Sequence, residues 1–364
     1  MKICFLGDAS SVHMHKWISY FKSINWEVYV ISFKGYKIDG VNVINLGENF
    51  TVNSKGENFR YLFKINKIRN LIKVIKPDII NAHYITSYGF LAAVTKCSPL
   101  ILSAWGSDIL VTPRKNLIYK LLTKFTLKKA DLITSDSKNM TEEIEKLLEN
   151  NKKQIITVPM GVEVELFKNN RDLNKQTIKI LSLRSLDQNS NVKVIIKAFS
   201  KILLTYPDAK LFIGNDGPLK NELINLSEKL KLEQNINFLG FVDRQNIINL
   251  FKECDYYISI PTSDATSVTL LEAMASGIYP IVSNIAANKE WIEDNVNGSV
   301  IKIDENDIVN AIARTNKDVE YKINVNKINI DIINNRASLK ANMQNVIESY
   351  QNLLLKNNLL EEVK

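Results

Sequence analysis

The sequence predicts an α/β protein built from two Rossmann-like halves, each a parallel sheet covered by helices on both faces. Strand-like and helix-like segments alternate along the 364 residues, and they do so twice over. The alternation breaks once, near the middle, at Pro159-Met160-Gly161-Val162 and on through Asn170. No unit of 20 to 50 residues recurs, which excludes a solenoid.

In the first half the strands fall at residues 2–6, 27–32, 41–45, 79–82, 100–104, 132–135 and 155–158. Helical spacing separates most of them. It is clearest over 12–23 and 57–75, where Leu62, Ile65, Ile68, Ile72 and Ile75 repeat on one face. The second series places strands at 178–183, 210–213, 236–238, 256–260, 279–283 and 299–301, with helices at about 192–205, 218–230, 245–252 and 268–275. Residues after about Ser338 form a last amphipathic helix. The expected domains are therefore 1–165, completed by the helix of about 338–364, and 166–337.

Bulk properties narrow the function. Hydrophobic content of 45% with 24% charged residues is globular. No run approaches eighteen apolar residues, and the apolar start at Met1 stops at Gly7-Asp8, too short for a signal peptide's core, so a cytoplasmic protein is expected. Cys4, Cys97 and Cys254 lie far apart, which suits a reducing compartment, and three histidines argue against a zinc site. Net charge is +8, all of it in the first half: residues 1–165 hold 23 Lys and Arg against 15 Asp and Glu, and residues 166–364 hold 24 against 24. Part of the excess lies on a helix over 115–129, opening on Lys115 and closing on Lys129. Lys120, Lys124 and Lys128 share one face of it, and Leu117, Leu121 and Phe125 an adjoining one. Such a helix suits either an anionic membrane surface, peripherally, or plain solvent. No recognition motif or aromatic stripe accompanies the charge, so nucleic acid is not an expected partner.

Two carboxylates, Asp264 and Glu272, stand eight positions apart across a strand-to-helix junction. The β-branched and aromatic run 254–260 ends at Pro261, residues 262–266 read as a loop, and Val268, Leu271 and Ala275 fit a buried helix closed by Gly277. Free N–H groups at that helix start would favour a phosphate. Eight steps at helical rise span roughly 12 Å, the scale of a diphosphate with a sugar at each end. One carboxylate would then hold the hydroxyls of a ribose and the other those of a transferred sugar. An isolated acidic pair is more often a cap residue and a solvated helix residue, so surrounding segments decide.

Those segments are Leu271-Glu272-Ala273-Met274-Ala275-Ser276-Gly277, Gly214-Asn215-Asp216-Gly217-Pro218-Leu219 before a helix, Phe238-Leu239-Gly240-Phe241-Val242 after a strand, Pro159-Met160-Gly161-Val162, and Asn297-Gly298. In this order and spacing the chain resembles the retaining glycosyltransferases of family 4 over nearly its whole length. The resemblance implies the GT-B architecture: two facing Rossmann-like domains with a central donor cleft, an acceptor domain first and a nucleotide-sugar domain second. It implies that Glu272 accepts from ribose hydroxyls and that Asp264, where the family has Glu, contacts the transferred sugar. The Ala265, Thr266, Ser267 and Val268 backbone would complete the cradle, with Gly214 and Phe241 nearby. Arg184 matches the family's diphosphate-binding arginine, and a planar, permanently charged fork suits a departing diphosphate. The partner lysine expected six positions on is Ser190, with Lys193 a possible substitute.

In the first half, Gly7 opens a loop that runs through His13 and is not Gly-x-Gly-x-x-Gly, which argues against a nicotinamide cofactor. Gly7 would let the loop approach the donor phosphate or acceptor. His83 directly follows a strand, where ligands bind in such sheets, and His13 stands near a helix start. Many relatives place a histidine where this chain has Trp105, with Gly106 and Asp108 as substitutes for sugar binding. No Asp-x-Asp motif occurs, so neither a metal nor another cofactor is expected. The implied function is metal-independent, retaining transfer of a hexose or N-acetylhexosamine from a nucleoside-diphosphate sugar, a UDP-sugar foremost, to a lipid-linked or surface-polysaccharide acceptor. Asp264, Arg184 and His83 are the catalytic candidates. The alternatives are a UDP-N-acetylglucosamine 2-epimerase and a non-catalytic subunit that binds a partner glycosyltransferase.

Overall fold

A computed structural model describes residues 1–47, 59–96, 98–167 and 177–362. The chain divides into two compact units, one of Met1–Met160 with Asn342–Lys364 and one of Gly161–Ala341.

The first unit carries β1 (Lys2–Leu6), β2 (Glu27–Ser32), β3 (Asn42–Asn45), β4 (Ile79–His83), β5 (Leu100–Ser103), β6 (Leu132–Ser135) and β7 (Gln154–Thr157), all parallel, in the order β3-β2-β1-β4-β5-β6-β7. Every residue of β4, β5 and β6 is buried, as strands covered on both faces require. The helix Val12–Ser23 supplies Met14, Trp17, Ile18 and Phe21 to one cover. The helix Leu339–Glu362 supplies Met343, Val346, Ile347, Tyr350 and Leu353, the spacing of one apolar stripe. Its Tyr350 is fully buried and stacks on Phe21 at 5.8 Å between ring centroids. The helix expected over 57–75 differs: residues 57 and 58 lie outside the described residues, Phe59–Lys64 is a 3₁₀ turn, and the α-helix runs only from Ile65 to Ile75. Lys64 precedes it without a side-chain cap, so nothing in the sequence fixes its start. Cys97 also lies outside the described residues.

The second unit carries β8 (Lys179–Ser182), β9 (Lys210–Gly214), β10 (Ile236–Gly240), β11 (Tyr256–Ser259), β12 (Tyr279–Ser283) and β13 (Ser299–Ile301), again all parallel, in the order β10-β9-β8-β11-β12-β13. The break expected to continue to Asn170 instead contains a short helix, Val164–Phe167, and residues 168–170 lie outside the described residues. Val162 is tied into this unit, donating its N–H to the Ala337 carbonyl at 2.8 Å and accepting from Leu339 at 2.9 Å. Helices absent from the sequence reading include Glu305–Asn316 and Val319–Arg336. In both sheets the chain order reverses beside the first strand, between β1 and β4 and between β8 and β11. Ligands of such folds bind at the carboxyl ends of the strands flanking that point.

Candidate active site

In the second unit the two flanking strands are in register, Tyr256 beside Ile180 and Tyr257 beside Leu181, and this brings their exits together. Arg184 follows β8 and Asp264 follows β11. The Arg184 Nη1 donates to Asp264 Oδ2 at 2.7 Å and lies 3.3 Å from Ser267 Oγ. Asp264 Oδ1 accepts from the Ala265 N–H at 2.9 Å. The two residues expected to contact sugar and diphosphate separately thus form one ion pair, each side chain less than a fifth exposed.

The helix Val268–Ala275 begins as expected. Ser267 caps it by accepting from Leu270 N, and every residue from Leu270 to Ala275 is buried. Gly277 closes it at φ +71°, and a Cβ there would lie 2.3 Å from Asn326. Glu272 is not a solvated helix residue, since its side chain is only 4% exposed. It accepts from Arg244 Nη1 at 3.0 Å, while Arg244 Nη2 reaches Glu163 at 2.6 Å and the guanidinium lies over the Phe167 ring. Ala265, Thr266 and Ser267 are buried and Val268 is half-buried, so the cradle segment is packed in place.

The loop after β11 is held from below. Asn189 exchanges side-chain hydrogen bonds with Ser263, and Asn191 Nδ2 donates to the Ile260 carbonyl at 2.9 Å. Ser190, standing where the resemblance expects a lysine, is buried and bonds Asp187 at 3.0 Å, which makes this turn structural. Lys193 does not replace the lysine, because its ammonium pairs with Glu222 at 2.8 Å on an exposed surface. Gly214 packs against Leu183, where a Cβ would come within 2.6 Å. Phe241 is 82% exposed and borders a surface recess with Asp243 and Asn246, so the structure does not join it to the carboxylates.

In the first unit a cavity of about 210 Å³ opens at the switch point, lined among others by Asp8, Ser11, Met14, Tyr88, His83 and Trp105. Gly7 has a packing role here: a Cβ would sit 1.9 Å from the Met14 methyl, so the group that approaches it is a side chain of the same unit. His83 is 4% exposed, and burial, with His13 adding to it, pushes its pKa down to about 3, so the ring is neutral. Trp105 lies between the rings of His13 and His83, at 5.0 and 5.2 Å, with His13 itself exposed. Asp108 is fully buried, its oxygens accepting from Ile85 N at 2.7 Å and Trp105 N at 3.1 Å. It holds the loop in place of contacting a sugar. Burial pushes its pKa up to about 6 against those hydrogen bonds. Gly106 has φ +113°, a conformation that needs glycine. Tyr84 also has positive φ, +74°, where β4 gives way to a π-helical turn, Ile85–Gly89, features that concentrate at functional sites.

Two family models match. Residues 2–137 match the Glycosyl transferase 4-like family, and residues 163–331 match Glycosyl transferases group 1. The chain belongs to the group 1 glycosyltransferases. An uncharacterised glycosyltransferase of Methanocaldococcus jannaschii is 26% identical over 62% of the chain and 60% of that protein. The alpha-monoglucosyldiacylglycerol synthase of Streptococcus pneumoniae is 25% identical over 43% of the chain and 38% of that protein. The chain thus spans less than two thirds of the length of either. HepE of Anabaena, solved with UDP, superposes with a TM-score of 0.81 at 17% identity, over 97% of this chain and 100% of that one, which shows the same GT-B fold.

Within this glycosyltransferase family the residues missed by sequence reading are supports. Arg244 gave one signal: it is the first residue of its helix, after the Asp243 cap, where the helix dipole disfavours a cation and a carboxylate partner offsets that cost. Asn189, Asn191 and Tyr350 gave none, because their partners lie 74, 69 and 269 positions away.

Proposed function

We propose that this chain is a retaining, metal-independent glycosyltransferase that moves a hexose or N-acetylhexosamine from a UDP-sugar to a lipid-linked or surface-saccharide acceptor. The ion pair of Arg184 with Asp264 at the switch point, ahead of the helix that carries the buried Glu272, carries the reading. In the Mechanism this implies, Arg184 turns its guanidinium to the diphosphate and neutralises charge as the glycosidic bond breaks. Asp264 orients that arginine and contacts the sugar, and Glu272, oriented by Arg244, accepts from the ribose hydroxyls. The departing phosphate takes the acceptor hydroxyl's proton, so no strong base is needed. HepE, solved with UDP, and the pneumococcal relative, named for a glucosyldiacylglycerol, support the donor and acceptor classes.

A helix on the first unit supports membrane association. Leu117–Lys128 buries Thr123, Thr126 and Leu127 and turns Leu117, Ile118, Leu121 and Phe125 outward, 69%, 72%, 57% and 41% exposed. The buried threonines satisfy their hydroxyls on carbonyls four residues back. Exposed leucines fringed by Lys120, Lys128 and Lys129 match a helix lying in an anionic lipid surface, with Lys124 held by Glu149. Among the described residues no helix is long and apolar enough to cross a membrane.

Thermal shift across UDP, GDP, ADP and their sugars tests the donor. A ligand at a hundred times its Kd adds about 2.7 kcal/mol. Glu272→Ala should abolish that shift and Asp264→Ala should abolish transfer; full activity in both variants would overturn the reading. Co-sedimentation with vesicles tests the helix, and Leu117→Ser with Leu121→Ser should release the protein; equal binding to neutral and anionic vesicles would count against it.

A further inference from the structure

Arg244 is shared between two carboxylates, and the way it is shared bears on the donor site. Its Nη1 donates to Glu272 Oε1 at 3.0 Å and its Nη2 to Glu163 Oε2 at 2.6 Å, while the guanidinium lies over the Phe167 ring, 5.6 Å from the centroid. An arginine facing a single carboxylate favours two parallel bonds to its two oxygens. Here the fork is split, and Arg244 meets Glu272 through one arm. Glu163 is held in place to take the other. It follows Val162, whose backbone bonds Ala337 and Leu339, and it precedes Val164 and Phe167, both buried in the core of the second unit. Phe167 also packs edge-on against Phe251, at 5.9 Å, on the helix Arg244–Glu253 that carries the arginine. The Glu163 side chain is 47% exposed and that of Glu272 4%, so the arginine serves the two differently. An exposed ion pair adds little stability, whereas a buried carboxylate depends on its cation.

Glu163 therefore contributes little to folding and much to where the second arm of Arg244 points. Released, that arm would swing toward Glu272 and bracket both of its oxygens, the geometry an arginine favours. A carboxylate bracketed in this way has fewer lone pairs left for other donors. We propose that Glu163 is a positioning residue of the donor site: it holds one arm of Arg244 away from Glu272 and so keeps acceptor capacity on Glu272 for the ribose hydroxyls of the donor. This rests on the reading of Glu272 as the ribose-binding carboxylate. Glu163 itself touches no substrate and acts only through Arg244.

Calorimetric titration of the full chain with UDP, 2′-deoxy-UDP and 3′-deoxy-UDP, beside urea denaturation, tests this without any turnover. The parent should prefer UDP over either deoxy nucleotide by about tenfold or more, the factor for one hydrogen bond to a charged group. Glu272→Gln should remove that preference. Glu163→Ala should remove most of it as well, yet leave the urea midpoint unchanged, because an exposed ion pair adds little stability. In the Arg244→Met background Glu163→Ala should alter the preference no further, since no arm remains to be restrained. Equal weakening of all three nucleotides together with a lowered midpoint would mean that Glu163 only supports the fold, and it overturns the proposal. So does an added loss in the Arg244→Met background, which would put Glu163 on the donor itself. If Glu272→Gln removes the preference and Glu163→Ala keeps it, the ribose reading stands and the role of Glu163 falls. If the parent shows no preference, both fall together.

Discussion

The two switch points are built from the same topology and filled with opposite chemistry. In the second unit the strand exits carry charge, and opposite charges answer it: Arg184 with Asp264, Arg244 with Glu163 and Glu272. In the first unit they carry neutral rings, His83 and Trp105, whose buried Nδ1 and Nε1 have no partner among the described residues. A charged site in a ligand-free protein must be kept ionised, and paired charges achieve this while holding each other in position. A neutral site needs only the right tautomer and shape. The second unit is therefore suited to a charged, leaving portion of a substrate, and the first to uncharged hydroxyls.

The largest effect should come from breaking the charged site. Arg184→Met removes the cation paired with Asp264, and transfer should fall by about 10²- to 10³-fold, the cost of losing one preorganised donor at developing charge. Arg184→Lys should recover part of that, since charge is kept and the fork is lost. Steady-state transfer assays decide; a kcat within twofold of the parent for Arg184→Met would remove the pair from the chemistry. Next is Arg244→Met, which leaves Glu272 buried with one charged partner fewer. About 2 kcal/mol of stability should be lost in urea denaturation, together with weaker UDP binding. Glu272→Gln in the same background should restore stability without restoring UDP affinity, which separates packing from recognition.

How much of this could be read in the residues follows from sequence distance. The strands were legible because a covered parallel strand is a short β-branched run, and residues 2–6, 27–32, 132–135, 279–283 and 299–301 coincide with the observed strands. Arg184 and Asp264 were legible as candidates at strand ends and Glu272 as a candidate on the helix that follows. Their pairing was not, because the Arg184–Asp264 contact spans 80 residues and depends on which strands are neighbours. Asp108 misled for a related reason. An acidic residue after a strand reads as a ligand contact, whereas two backbone amides claim it, one from Trp105 nearby and one from Ile85, 23 residues away. The helix at 117–128 was legible in its two faces, and only packing could say that the apolar one points outward.

The smallest effect separates the units by pH. His83 is a neutral ring whose pKa is about 3 in the folded chain against the ordinary 6.5 in the unfolded one. As pH falls below 6.5 the unfolded chain takes up a proton that the folded one refuses until about pH 3, so stability declines across that window. Asp108 opposes this. Its folded pKa, about 6, lies above the ordinary value of 3.8, so between those values the folded state protonates first and stability is returned. Comparing His83→Phe with the parent cancels the Asp108 part. Between pH 7 and 5.5 the parent should lose on the order of 1 kcal/mol more than the variant, measured by urea denaturation. Parallel curves would mean that His83 is already protonated or already exposed, and either result would remove the neutral site from the first unit. Curves that diverge below pH 6.5 would keep it, the loss arising from proton uptake by the unfolded chain.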